Sequence, residues 1–269
     1  MKKLLLAGVA LCTFSLLSAQ KEVRNANGSY YKQCVRFRVT EPLSKLVAAH
    51  QAVQKFSTPK LAADQSAPPA KNRNAQYNPK ACLSDGALQN YEGSKENKAP
   101  ILSFDGAKGQ GYVPLDPNGM VGSNNYVQTI NSAFSIFDKS GTPILNNADL
   151  TVIFGTFTCD DGDPVTMYDR FADRWIITEF QQNAACSVQG ANMDTMMMAV
   201  SVTNDPTGSY YMYYFCPDNA DFADYPKYSI WADGYYQTCN CQDDKVVVYQ
   251  RDSMLKGSKN AGFIVIPFN

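Results

Sequence analysis

From Ile101 to the end of the chain, apolar residues come in short runs broken by Asp, Asn, Gly and Pro, and their spacing has the period of a strand. "TMMMAVSV", "SYYMYYF", "KVVVY" and "GFIVIPF" are too short for helices and rich in β-branched or aromatic residues. Three segments align. The first is "LDPNGMVGSNNYVQTINSAFSIFDKSGTPIL" from Leu115. The second is "GDPVTMYDRFADRWIITEF" followed by "TMMMAVSVTNDPTGSYYMYYF". The third is "DYPKYSIWADGYYQTCN" followed by "DDKVVVYQRDSMLKGSKNAGFIVIPF". Each opens on an acidic or aromatic residue and a proline: Asp116-Pro117, Asp163-Pro164, Tyr225-Pro226. Each reaches a second strand led by an aromatic residue: Tyr126, Trp175, Tyr235.

The second strands lie 49 residues apart (126 to 175) and then 60 (175 to 235), and two of them nearly repeat, "YVQTIN" and "YYQTCN". Short antiparallel strands recurring at roughly 50 residues are the mark of propeller blades near the kelch period. A lone four-stranded sheet buries one face at most. Stacking it radially between neighbours buries both, which explains two-sided apolar runs such as "MMMAVSV" and "KVVVY". Asp-Gly, Asn-Gly, Thr-Gly and Ser-Gly pairs supply turns that tolerate positive φ. A β-sandwich gives no reason for near-repeated second strands 109 residues apart (128 to 237). The expected fold is therefore all-β, about three propeller blades of four antiparallel strands over residues 101–269.

The region before it has a different texture. "VRFRV" alternates Val35, Phe37 and Val39 with Arg36 and Arg38, one strand. "EPLSKLVAAHQAVQKF" places Leu43, Leu46, Val47 and Val53 at helical spacing. "STPKLAADQSAPPAKNRNAQYNPK" reads as a linker. Residues 20–100 are thus a strand, helix and linker region. Residues 1–19 have a basic start at Lys2 and Lys3, an apolar stretch Leu4 to Leu17 and small residues at Ser18-Ala19. This is the pattern of a secretory signal peptide cut near Ala19, and it places the mature chain outside the cell or on its surface. No later run approaches the ~18 apolar residues that span a bilayer.

Along "GYVPLDPNGMVGSNNYVQTINSAFSIFDKSG", "DGDPVTMYDRFADRWIITEF", "AVSVTNDPTGSYYMYYF" and "DYPKYSIWADGYY", the chain resembles a group of large secreted bacterial β-propeller proteins. The resemblance covers roughly residues 100 to 255. It implies a propeller in an exported, multidomain protein and brings no catalytic residues with it. Family propellers carry more than three blades, and closure needs ~4–8. Three leave two sheet edges and an apolar blade face open to water. A missing C-terminal segment, a second chain, or the strand around Val35 to Val39 would complete the arrangement.

Export decides how the cysteines are read. Removing Cys12 with the leader leaves seven, and in an oxidising compartment disulfides are the default. Cys34, Cys82, Cys159, Cys186, Cys216 and Cys239 are the candidates, with Cys34–Cys82 and Cys159–Cys186 as expected bridges. Cys239-Asn240-Cys241 is C-x-C, not a redox C-x-x-C, so one member is expected to be bridged elsewhere and the other buried or free. Zinc is disfavoured because the chain has a single histidine, His50, and no second close cysteine pair. Losing Lys2 and Lys3 leaves 22 basic against 25 acidic residues, a formal charge of −3, which gives no electrostatic case for nucleic acid.

Few residues carry chemistry. Asp160, Asp161 and Asp163 surround Gly162, and three carboxylates in four residues could hold Ca²⁺, although the spacing differs from a D-x-D-x-D-G loop. Asp218, Asp221 and Asp224 repeat the pattern more weakly. Asp169, Asp173 and Glu179 could supply the two carboxylates of a glycosidase, which sit ~5–9.5 Å apart across a cleft. The turn "YDRFADRW" recruits Asp for backbone reasons as well. His50, alone on its helix, offers no nucleophilic triad. The tyrosines of "SYYMYYF" and "YYQTCN" suit either packing or contact with sugar and protein surfaces. Met193 and Met196 to Met198 read as core filler. The function expected is a non-enzymatic module that binds protein or glycan through its turn-rich face. The alternative is a polysaccharide-acting hydrolase or lyase using acidic residues of that face.

Overall fold

A computed structural model of the chain describes residues 23–54, 100–109, 114–155, 162–181, 195–216, 223–241 and 245–268, with side chains of the first stretch described to residue 50. The leader, the linker, Cys82, Cys159, Cys186, Met193, Asp160, Asp161, Asp218 and Asp221 lie outside the described residues.

The described chain is mostly strand, all of it antiparallel, in three open sheets. The four-stranded sheet runs β4 (Asn118–Val121), β5 (Asn125–Ile130), β6 (Ala133–Asp138) and β7 (Pro143–Asp149). The five-stranded sheet runs β8 (Val165–Asp169), β9 (Arg174–Gln181), β10 (Thr195–Ser201), β11 (Tyr210–Phe215) and then β3 (Arg36–Val39). The six-stranded sheet runs β12 (Asp224–Ile230), β13 (Tyr235–Asn240), β14 (Lys245–Tyr249), β15 (Gly262–Pro267), β2 (Tyr30–Gln33) and β1 (Val23–Arg24). Each repeated segment of the sequence builds one sheet as a four-stranded meander. The N-terminal region is built into two of them. Val39, Arg38, Phe37 and Arg36 pair with Tyr211 to Tyr214, and Tyr30 to Gln33 pair with Val265 to Gly262.

The sheets stack face to face with the five-stranded sheet in the middle. One of its faces presents Met167, Ile176, Met196, Met198, Val200, Tyr213 and Phe215 to Tyr235, Val247, Tyr249 and Phe263 of the six-stranded sheet. Its other face presents Trp175, Ile177, Met197, Ala199 and Met212 to Val127, Phe134 and Ile136 of the four-stranded sheet. Every residue of β10 is therefore buried. β14 departs from the two-sided burial expected of "KVVVY": Val247 and Tyr249 are buried, while Val246 and Val248 are half-exposed. They point away from the stack, where no described residue forms a further layer.

The sheets meet at their first strands: β4 lies against β8 and β8 against β12, each at the edge of its sheet. The residue before the opening proline shares one backbone state in all three, with φ 41° at Asp116, 51° at Asp163 and 48° at Tyr225. Proline disfavours helical values at the residue before it, and a non-glycine residue in the left-handed region costs about 1–3 kcal/mol. Local contacts hold it there. The Asp163 amide donates to Asn131 Oδ1 at 2.8 Å, and Asn131 Nδ2 donates to Pro114 O at 2.8 Å and Asp116 Oδ2 at 2.9 Å.

The predicted helix forms as α1 (Leu43–Gln54). Its first turn needs acceptors for unpaired amides. The carbonyls of Gly208 and Thr207 provide them, to Leu43 and Ser44. Leu43 and Val47 are buried against α2 (Thr151–Phe154), closing the outer gap between the four- and five-stranded sheets. Among the described residues no helix is long and apolar enough to cross a membrane.

Candidate functional site

The hairpin tips that join first to second strands gather at one end of the stack: residues 122–124, 170–173 and 231–234. Side chains tie them together. Ser123 Oγ lies 2.7 Å from the Tyr168 phenol oxygen, Tyr168 donates to Asp173, and Asn204 Nδ2 donates to Asp173 Oδ2 at 3.0 Å. The phenol and the amide favour the charged form, so the Asp173 carboxyl is held below its ordinary pKa.

Asp169 fixes the tip of the five-stranded sheet from inside. Its Oδ1 accepts from the amides of Phe171 at 3.0 Å and Ala172 at 3.2 Å, closing the turn. It is fully buried, and Arg251 at the start of α3 (Arg251–Leu255) reaches it from the six-stranded sheet. Arg251 Nε donates to Oδ2 at 2.7 Å and Nη2 to Oδ1 at 3.2 Å, while the Tyr235 phenol donates to Oδ2 at 3.0 Å. Arg251 also donates to Ala232 O at 3.2 Å, in the neighbouring tip. The hydrogen bond to Asp169 raises the Arg251 pKa, and burial first, then the Asp169 charge, raises that of Tyr235. One buried carboxylate thus clamps two sheets and two tips.

Above the clamp stand two exposed aromatic side chains. Phe171 is 51% and Trp231 62% exposed, with ring centroids 6.0 Å apart and planes at 79°. The Arg170 guanidinium covers Phe171 at 5.4 Å from its centroid. Two large rings side by side at adjacent hairpin tips make an apolar platform open to solvent. A concavity of about 510 Å³ lies on the outward face of the four-stranded sheet, lined by Leu102, Phe104, Val121, Tyr126, Gln128 and Lys139.

Of the described residues singled out from the sequence, Asp173 lies at the hairpin tips and the others fall elsewhere or serve structure. Asp169 has its oxygens taken up by five donors. Glu179 is buried within β9. The carboxyl of Asp163 is pushed up to about 6, by burial first and then by Asp116 and Asp224. Asp160 and Asp161 are outside the described residues, and among those described no group of three His, Cys, Asp or Glu is arranged to hold a metal ion. His50 Nε2 lies 3.8 Å from Asp149 Oδ2 on the outer perimeter. Met196 to Met198 are core, and of the "SYYMYYF" tyrosines Tyr210, Tyr213 and Tyr214 are buried.

The partner expected for Cys34, Cys82, lies outside the described residues, and Cys34 is a free thiol. It sits at the turn between β2 and β3, where Sγ donates to Lys259 O at 3.2 Å, and burial pushes it up to about 11. One cysteine expectation is corrected. Cys239 and Cys241 lie within disulfide reach of each other, with Cα atoms 5.3 Å apart, rather than one facing a partner elsewhere. Cys216 is buried and disulfide-bonded.

Comparison with family models, with curated proteins and with solved structures finds no match. Phe171, Trp231 and Arg170 were missed in the sequence, although their signal was there: "DRFADRW" and "IWADGYY" place an aromatic residue inside a turn otherwise made of Arg, Ala, Asp and Gly.

Proposed function

We propose that this chain is a secreted or cell-surface module of β-propeller type, and that it binds a glycan without chemical turnover through the hairpin-tip end of its sheets. The propeller reading is supported by the three meanders, the adjoining first-strand edges and the matching left-handed residues before the prolines. Export is supported by the leader pattern at residues 1–19. The observation that carries the binding reading is the exposed Phe171–Trp231 pair. Aromatic faces stack on the C–H faces of sugar rings, while Asp233, Asp173 and Asn204 surround the pair with polar groups. A hydrolase has less support, because it needs two available carboxylates across a cleft. Asp169 is saturated and Asp173 is held by Tyr168 and Asn204.

Tryptophan fluorescence of the mature chain, titrated with a panel of neutral and acidic polysaccharides, tests this. A glycan should quench Trp231, and Trp231→Ala should weaken its binding about tenfold, the worth of one good aromatic stack. A panel without response, or binding indifferent to Trp231→Ala, defeats the proposal. Capture of a protein through the same two rings would replace the glycan by a polypeptide ligand.

A further inference from the structure

We infer that the ligand at the hairpin tips is an acidic glycan, bearing uronate carboxylates or sulfate groups, and that Arg170 selects for that charge. This rests on the glycan-binding reading of the Phe171–Trp231 platform. Arg170 is exposed, and its guanidinium lies 5.4 Å from the Phe171 centroid. Among the described residues it has no carboxylate partner and no hydrogen bond. The carboxylates of this end are engaged by others: Asp169 by Arg251 and Tyr235, Asp173 by Tyr168 and Asn204, Asp233 by the Tyr236 phenol at 2.8 Å, and Asp252 by Arg251 at 3.3 Å. Among the described residues Arg170 thus stands beside the exposed rings with its guanidinium donors unused, whereas Arg174 at the same tip spends its own on the carbonyls of Ala172 and Asp173.

The geometry suits an oxyanion. A guanidinium presents its donors in a flat fork that matches carboxylate or sulfate with two parallel hydrogen bonds, and a ring beneath it fixes the plane of that fork. The ring is itself fixed, because the Phe171 amide is bound by Asp169, and Arg251 holds Asp169. A sugar lying on the Trp231 indole would bring a ring substituent toward Arg170. The selectivity is local: the whole chain carries a formal charge of −1, so it has no general attraction for polyanions.

Two polymer pairs that differ only in charge test the inference: polygalacturonate against its methyl ester, and dextran sulfate against dextran. The mature chain should bind at least one charged member about tenfold or more tighter than its neutral counterpart, and the preference should fade from about 50 to about 500 mM salt. Arg170→Gln should erase the preference while leaving neutral binding in place, and Arg170→Lys should restore only part of it, since a point charge lacks the fork. Trp231→Ala should weaken both members. Equal binding within both pairs, or a preference that survives Arg170→Gln, overturns the inference and leaves the platform reading intact if Trp231→Ala still weakens binding. Failure to bind either charged polymer also overturns it, while the neutral glycans of the wider panel judge the platform separately.

Discussion

The five-stranded sheet and the six-stranded sheet are built from the same kind of meander, yet they present opposite surfaces. Every side chain of β10 is buried, because layers cover both faces. In the six-stranded sheet the inward Val247, Tyr249, Phe263 and Val265 are buried, while Ile264 at 38% and Ile266 at 40% exposure look outward. An alternating strand buries both sets of side chains only when it has two neighbours. Strand composition alone therefore does not tell a middle sheet from an end sheet.

The largest effect should come from the clamp that joins the two sheets. Arg251→Met leaves Asp169 charged, buried and without its ion pair, so it should cost about 3–5 kcal/mol of stability in urea unfolding. A loss below about 1 kcal/mol would mean that the two sheets do not depend on each other. Next come the methionines. Met197 and Met198 point to opposite faces of the middle sheet and are both fully buried, so each change to alanine should cost about 2–5 kcal/mol. The neighbouring pair in β14 should split instead: Val247→Ala should be clearly destabilising, and Val248→Ala should cost less than about 1 kcal/mol. Equal costs in β14 would show that a further layer covers the outward face.

Asp163, beside Asp116 and Asp224 where the first strands meet, should give a smaller, pH-dependent effect. The folded Asp163 pKa of about 6 stands above its ordinary 3.8. Between these values the folded state holds the proton more tightly than the unfolded state, so stability present below about pH 4 falls as pH rises through 6. Asp163→Asn removes this dependence and still suits a positive φ. Thermal melts should find it more stable than the parent at pH 7 and no better at pH 4, and an advantage independent of pH would refute the assignment. The smallest effect belongs to the outward face. Ile264→Thr with Ile266→Thr should change unfolding free energy by only about 0.5 kcal/mol while raising the temperature at which the protein aggregates.

Much of this fold was legible in the sequence, because strand period and turn chemistry are local properties. The three segments became three sheets. Their second strands became β9, β13 and β5, and the helix from Leu43 formed as its spacing required. The joining of β3 to β11 was one of several ways of completing the sheets and could not be singled out, since pairing strands far apart in sequence depends on edges that exist only after folding. The site was less legible. Asp169 looked like a catalytic candidate and proved to be a clamp, because Arg251, 82 residues away, supplies its partner. The near-repeat carries the same lesson: Tyr235 is fully buried between sheets, while its counterpart Tyr126 is half-buried under Phe104, with centroids 6.0 Å apart.

The sequence by itself determined the strands, their turns, the three repeated units and the helix, since each follows from side-chain period and from residues that tolerate particular φ values. Only the tertiary structure decided which sheet lies in the middle, which carboxylates are satisfied, and that Phe171, Trp231 and Arg170 stand together in solvent. Those outcomes depend on contacts between residues distant in the chain, where burial and pairing are set by the neighbour and not by the residue itself.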